Sequence, residues 1–271
     1  MAVIAADAHG LVTLYRRRLN VTTRLIPGLI GLMVTPVLWI LIIAPALDNA
    51  LGSFNPSVDY FTFVCLSQVA FIVPFTSMFS GINLIVDKDF GILREFLVAP
   101  VGRSSITIGN TLAVLTVALM QVGLMMSLAT LRGAEFHTSL AGFFWFLAGV
   151  ALLSLSTYAI AEILALMVGR QEAYGPLIPA VGVTPWFLSG SLFPLSFLPD
   201  GVRQFSVVLP WTHALALMRY GMMENIDPGL HDIWHMNSDA WMAALSLIVL
   251  IGFSLVLLAI DTRVFRGKTT S

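Results

Sequence analysis

Long apolar runs broken by short polar turns set the pattern of this chain. Runs of about 20 residues or more suit helices that cross a bilayer core. They fall at about 25–47, 60–86, 106–131, 139–168, 173–192 and 240–260. The pattern predicts an all-α integral membrane fold with six transmembrane helices in one domain, residues 1–271. Pro27, Pro36 and Pro45 in the first run are tolerable where neighbouring helices or water satisfy the freed carbonyls. Gln68, Ser77, Ser80 and Asn83 in the second should face other helices rather than lipid. Pro176, Pro179 and Pro185 make the fifth run irregular.

Three stretches between or before these runs are amphipathic. Residues 1–24 hold no short apolar core with a small-residue cleavage site, so they do not read as a signal peptide. Instead Leu11, Leu14, Tyr15 and Leu19 share a helical face flanked by Arg16, Arg17, Arg18 and Arg24, which suits a helix in the headgroup layer. In the segment Asp87–Arg103, Phe90, Leu93, Phe96 and Leu97 recur at helical spacing with Asp89, Arg94 and Glu95 off the stripe, and Pro100 ends the helix. Residues 193–220 are too apolar for a solvated loop, yet prolines cut them too short to span. Pro194, Pro199 and Pro210 delimit a predicted helical hairpin that re-enters the outer leaflet from outside.

Composition agrees: 58% of residues are hydrophobic and 11% charged, with mean hydropathy +0.89. A net charge of −1 gives no footprint for nucleic acid. The single cysteine, Cys65, allows neither a disulfide framework nor a cysteine metal site. With six spans, eleven Lys/Arg residues fall on the side of the termini and three (Arg132, Arg203, Arg219) opposite. This asymmetry predicts cytoplasmic termini and a cytoplasmic 87–103 segment.

Candidate chemistry is sparse. Gly267-Lys268-Thr269 resembles the end of a phosphate-binding loop, but Thr262 stands where the motif needs its first glycine. This chain is therefore expected to bind no nucleotide, cofactor or metal of its own. His231 and His235 have a spacing that metal ligands use, but read better as polar loop residues. Ser189-Gly190 lacks the preceding glycine of an intramembrane serine nucleophile, since Phe187 occupies that position, and the spans supply no histidine base. Glu162 is the one carboxylate well inside a predicted span. An ion pair with Arg170 and a role in handling substrate or protons both remain open for it. A secondary transporter or stand-alone membrane protein using Glu162 is the rival reading. Trp39, Trp145, Trp211, Trp234 and Trp241 suit interfacial anchors.

The basic entry helix, the six spans and the loop Asp89-Phe90-Gly91-Ile92-Leu93-Arg94-Glu95-Phe96-Leu97-Val98-Ala99-Pro100-Val101 resemble the permease subunit of type-2 ABC exporters. The closing stretch, with Leu188-Ser189-Gly190, Pro194, Leu198-Pro199, Pro210 and Arg219, is similar to that family's pattern before its last span. Phe96 departs from the commoner leucine. The resemblance implies an exporter in the cytoplasmic membrane of a bacterium. A second permease copy, most simply as a homodimer, and two separate ATPase subunits carrying ATP and Mg would complete it. It implies that Asp89, Phe90, Leu93, Arg94, Glu95, Phe96 and Leu97 form a coupling helix on the ATPase. Leu14, Tyr15, Arg16, Arg17 and Arg18 would belong to a connecting helix. The substrate path would run between the first, second and fifth spans, with Gln68, Phe187 and Glu162 as candidate contacts. A pathway with so little charge suits a hydrophobic or amphipathic cargo such as a drug-like compound, a lipid or a lipid-linked glycan.

Overall fold

A computed structural model describes residues 2–24, 26–51, 59–92, 103–223 and 229–269. The chain is helical almost throughout. Helix α1 (Ala2–Arg24) leads into α2 (Ile26–Leu38), a π-helical turn (Trp39–Ile43) and α3 (Ala44–Leu51). Next come α4 (Tyr60–Asp89), α5 (Arg103–Leu131) and α6 (Leu140–Val168). The π turn sits directly before Pro45, where the Ala44 N–H reaches back to the Trp39 carbonyl. Widening the helix there accommodates a residue that cannot donate.

Among the described residues five helices are long and apolar enough to cross a membrane: Met33–Ala50, Tyr60–Asp89, Ser105–Leu131, Leu140–Val168 and Asp239–Phe265. The fifth expected span is not one helix. It is divided into α7 (Gln171–Tyr174), α8 (Leu177–Gly182) and α9 (Thr184–Leu188). Pro176, Pro179 and Pro185 each remove a backbone donor, and Pro185 opens α9. The segment nevertheless climbs along α4. The Tyr174 hydroxyl donates to the Met78 carbonyl (2.8 Å), Gly182 packs against Phe75, and Trp186 Nε1 donates to the Ser67 carbonyl (2.7 Å). From Gly81, which abuts Tyr174, to Ser67 the segment ascends about 21 Å of helix at 1.5 Å per residue.

Helix α4 is the axis of the bundle, capped by the Asp59 carboxylate on the Thr62 N–H (3.1 Å) and buried without a break from Tyr60 to Pro74. Its polar side chains face inward as expected: Gln68, Ser77 and Ser80 are buried. Thr76 donates to Gln121 Oε1 of α5 at 2.6 Å. Beyond α9, a 3₁₀ turn (Leu195–Phe197) precedes α10 (Asp200–Val208) and α11 (Pro210–Met222). Pro194 and Pro199 sit at the N-caps of the 3₁₀ turn and α10, and Pro210 at the first position of α11. These prolines therefore start helices rather than interrupt them.

Helix α11 is buried along its length, against α6 on one side and α13 (Asp239–Thr269) on another. Its antiparallel contact with α6 is set by Gly142 and Gly221: a Cβ on either would run into the other's backbone. A short α12 (Leu230–Trp234) precedes α13. Trp211 is 4% exposed and belongs to this core, whereas Trp241 is 67% exposed at the start of α13, where an interfacial anchor is expected.

Candidate functional site

Two polar centres lie at opposite ends of α4. At the Asp87 end, α1 packs along the first turns of α5, with Leu14 against Gly109 and the Tyr15 hydroxyl 3.1 Å from Thr116 Oγ1. The apolar face of α1 thus meets protein. Its consecutive arginines divide: Arg16 is exposed, while Arg17 and Arg18 turn to Asp87. Arg17 Nη2 donates to Oδ1 at 3.0 Å and Arg18 Nη1 to Oδ2 at 3.2 Å. Arg18 also donates through Nη2 to the Ser80 carbonyl at 3.0 Å and is 2% exposed. Leu14, Ile85, Ile106, Leu166, Ile178 and Phe265 pack beside this clasp and bring α1, α4, α5, α6, α8 and α13 together.

Glu162 belongs to the same end. It is 1% exposed, with Thr107 Oγ1 donating to Oε1 at 3.4 Å and the Tyr158 hydroxyl beside it. The expected partner Arg170 is exposed and precedes α7, beyond the left-handed Gly169 cap. The cation whose field reaches Glu162 is Arg18 instead. Helix α6 ends at Val168, so Arg170 already follows the turn away from the bundle.

The predicted coupling helix is corrected at its start. Asp89 is the last residue of α4, and the chain turns at Phe90 and Gly91, the latter with φ +74°. Phe90 therefore lies in a turn and not within a helix. Phe90 is 78% exposed. Leu93, Arg94, Glu95, Phe96 and Leu97 lie outside the described residues.

At the other end, Arg219 of α11 is 2% exposed. It donates to the carbonyls of Gly190 (3.0 Å) and Ser191 (3.2 Å) and to Ser67 Oγ (2.8 Å), with its guanidinium 3.4 Å from the centroid of Phe63. It fastens the hairpin and the top of the broken segment to α4. Two consecutive carbonyls presented to one planar fork explain why arginine is needed. His213 is buried in the same helix, its Nδ1 3.1 Å from Ser246 Oγ, which also accepts from Trp234 Nε1 at 2.8 Å. Burial pushes the His213 imidazole down to about 4, against a smaller opposing pull from the Val207 backbone.

The three candidate pathway residues are not assembled into one site. Gln68 is 1% exposed within α4, and neither amide atom has a partner among the described residues. Phe187 is 51% exposed beside Trp186, and Glu162 lies at the Asp87 end. A cleft of about 340 Å³ between α10 and α12 is lined by Asp200, Arg203, Asp232 and His235, and by none of those three. His231 pairs with Asp239 (3.1 Å), while His235 falls beyond α12 at φ 52° and meets Arg203 at 2.8 Å. The two histidines therefore do not share a helical face.

Sequence reasoning had no periodic signal for Asp87, Asp261 or Arg219 as buried centres. A charged residue near or within an apolar run was the available clue.

The arrangement is that of a multi-pass membrane protein whose entry helix is clasped to its second span. The profile of the family described as ABC-2 type transporter matches residues 10–223. The chain belongs to this family of ABC-transporter membrane subunits. It is 25% identical over 240 residues to the transport permease named ycf38 of Cyanophora paradoxa, covering 84% of this chain and 79% of that protein. It is 24% identical over 192 residues to a Mycobacterium tuberculosis protein named doxorubicin resistance ABC transporter permease protein DrrC, covering 70% and 68%. An ABC transporter G family member 20 of Dictyostelium discoideum is 27% identical over 222 residues, 75% of this chain and 27% of that larger protein.

Proposed function

We propose that this chain is the permease subunit of an ATP-driven exporter that moves a hydrophobic or amphipathic molecule outward across the cytoplasmic membrane of a bacterium. A drug-like compound, a lipid or a lipid-linked glycan fits that description. The mycobacterial relative named for doxorubicin resistance supports the first of these. ATP and Mg reside on a separate ATPase, two copies of which sit beneath two permease copies, most simply a homodimer.

The observation that carries the reading is the clasp of Arg17 and Arg18 on Asp87, three residues before the chain turns at Phe90. A displacement of the chain at Phe90 by a partner acts on α4 and α1 together, because a charge-assisted bridge and a shared apolar cluster join them. The exposed Phe90 is offered to the ATPase, and the family resemblance adds residues 93–97 as proposed contacts. The excess of basic residues on the side of the termini supports a cytoplasmic position for the Asp87 end and for both termini. The Arg219 hairpin then stands at the exit side.

Purification of the chain in detergent from its native host tests this reading. An ATPase subunit should co-purify, and Glu95→Arg and Phe96→Ala should abolish its recovery. Failure to recover any ATPase across several detergents would overturn the proposal.

A further inference from the structure

The cleft of about 340 Å³ beside the hairpin holds charge of both signs, kept apart by hydrogen bonds. Helix α10 gives it Asp200, Arg203 and Val207, and α12 with the residue after it gives Asp232, Ile233 and His235. Arg203 Nη2 donates to His235 Nε2 at 2.8 Å, and that nitrogen must accept because a guanidinium has no acceptor. The other ring nitrogen of His235 is taken by the His231 carbonyl at 2.5 Å. Ion pairs among the described residues join Arg17 and Arg18 to Asp87 and His231 to Asp239, and none joins Arg203 to Asp200 or Asp232. Asp232 instead accepts the Ser196 N–H through Oδ2 at 3.2 Å.

The depth of this cleft is set by α13. That helix is long and apolar enough to cross a membrane from Asp239, so its first turn lies at a bilayer surface. The His231–Asp239 pair (3.1 Å) fastens α12 to this turn, and the exposed Trp241 marks the same level. Helix α10 is amphipathic in the matching sense. Asp200, Arg203 and Val207 share the side that lines the cleft, whereas Phe205 and Val208, 57% and 75% exposed, lie on another. A charged cleft therefore opens next to an apolar surface at the level of lipid headgroups. A bare divalent ion does not suit it, since no group of three metal-ligating side chains converges among the described residues. An anion alone would meet two carboxylates, and a lone cation would meet the guanidinium. A headgroup that carries both charges meets neither obstacle.

We propose that this cleft binds the headgroup of a zwitterionic phospholipid with a primary amine, of the phosphatidylethanolamine class. Its ammonium offers three N–H donors to Asp200 and Asp232, and its phosphate oxygens accept from Arg203. The acyl chains lie over Phe205 and Val208. A trimethylated amine has the charge without a donor, and a glycerol headgroup has no positive charge, so the site discriminates against both. The bound lipid ties α10 to α12. The inference needs only that α13 spans the membrane and does not depend on export.

Native mass spectrometry of the purified chain tests the site, with phosphatidylethanolamine, phosphatidylcholine and phosphatidylglycerol of identical acyl chains offered in equal amounts. Phosphatidylethanolamine should be retained severalfold over each of the others. Asp200→Asn combined with Asp232→Asn, which keeps an oxygen for the Ser196 N–H, should erase the preference over phosphatidylcholine. Arg203→Gln should lower retention of phosphatidylethanolamine severalfold, and Glu172→Gln at the exposed turn should leave it unchanged. A phosphatidylethanolamine carrying an acyl-chain diazirine should also label residues 200–208 of the unmodified chain severalfold more than its phosphatidylcholine analogue, which locates the lipid even if a variant fails to fold. Equal retention of the three lipids, a preference that survives the double substitution, or equal labelling of 200–208 by the two probes would overturn the proposal.

Discussion

Arg18 and Asp87 are 69 positions apart, yet Nη1 of the first donates to Oδ2 of the second at 3.2 Å, with the arginine side chain 2% exposed. Such a pair is costly to break from one side, because the remaining charge stays buried. Asp87→Ala should therefore destabilise the chain by about 3–5 kcal/mol. Arg17→Ala, at a position 31% exposed, should cost less than about 1 kcal/mol. Thermal unfolding in detergent separates the two. Equal effects would contradict the asymmetry.

The crossing of α6 and α11 leaves no room for a side chain at Gly142 or Gly221. The obstacle in each case is backbone, which cannot swing aside. Gly221→Val is expected to cost at least about 1–3 kcal/mol and to open α11 to protease. Gly252→Val, at a position with open space around it, should be neutral and serves as the control.

Arg219 divides its donors among two carbonyls and a hydroxyl. A lysine has the charge without the planar fork, so Arg219→Lys should not rescue the contact. We expect both Arg219→Lys and Arg219→Gln to raise amide exchange across residues 186–200 by more than tenfold, corresponding to a loss of about 1.4 kcal/mol or more. Protection retained in the lysine variant would show that charge alone suffices.

His213 supplies a pH dependence with a definite sign. Its folded-state value, about 4, lies below the ordinary imidazole value of 6.5, so the unfolded chain takes up the proton first as pH falls. Stability should be full above about pH 6.5 and decline between there and about 4, by at most about 1.4 kcal/mol per pH unit from this group. His213→Gln should flatten that part of the profile. An unchanged slope would remove His213 as its source.

The spans with unbroken apolar runs were legible to within a few residues. The expected 60–86 is Tyr60–Asp89, and 139–168 is Leu140–Val168 capped by Ser139. The fifth run was legible as irregular because its three prolines are visible in the sequence. Its ascent along α4 was not, since Tyr174, Gly182 and Trp186 find their partners only in three dimensions. Periodicity also misread the start of residues 89–97. The stripe from Phe90 to Leu97 holds as a pattern, but Gly91 in the left-handed region breaks the helical path directly after Phe90. Pairings such as Arg18 with Asp87, or Arg219 with the Gly190 carbonyl, leave no periodic trace because their spacing depends on which helices meet. Arg170 was the nearer cation to Glu162 in sequence, and the turn at Gly169 carries it away.

The most direct test of the proposed coupling uses position 90, since Phe90 is exposed and the native Cys65 is buried. A Phe90→Cys chain should react rapidly with a membrane-impermeant maleimide when alone. Co-assembled with its ATPase, it should be protected severalfold. Equal labelling with and without the bound ATPase would contradict the claim that this end of α4 is the surface through which ATP hydrolysis moves the permease.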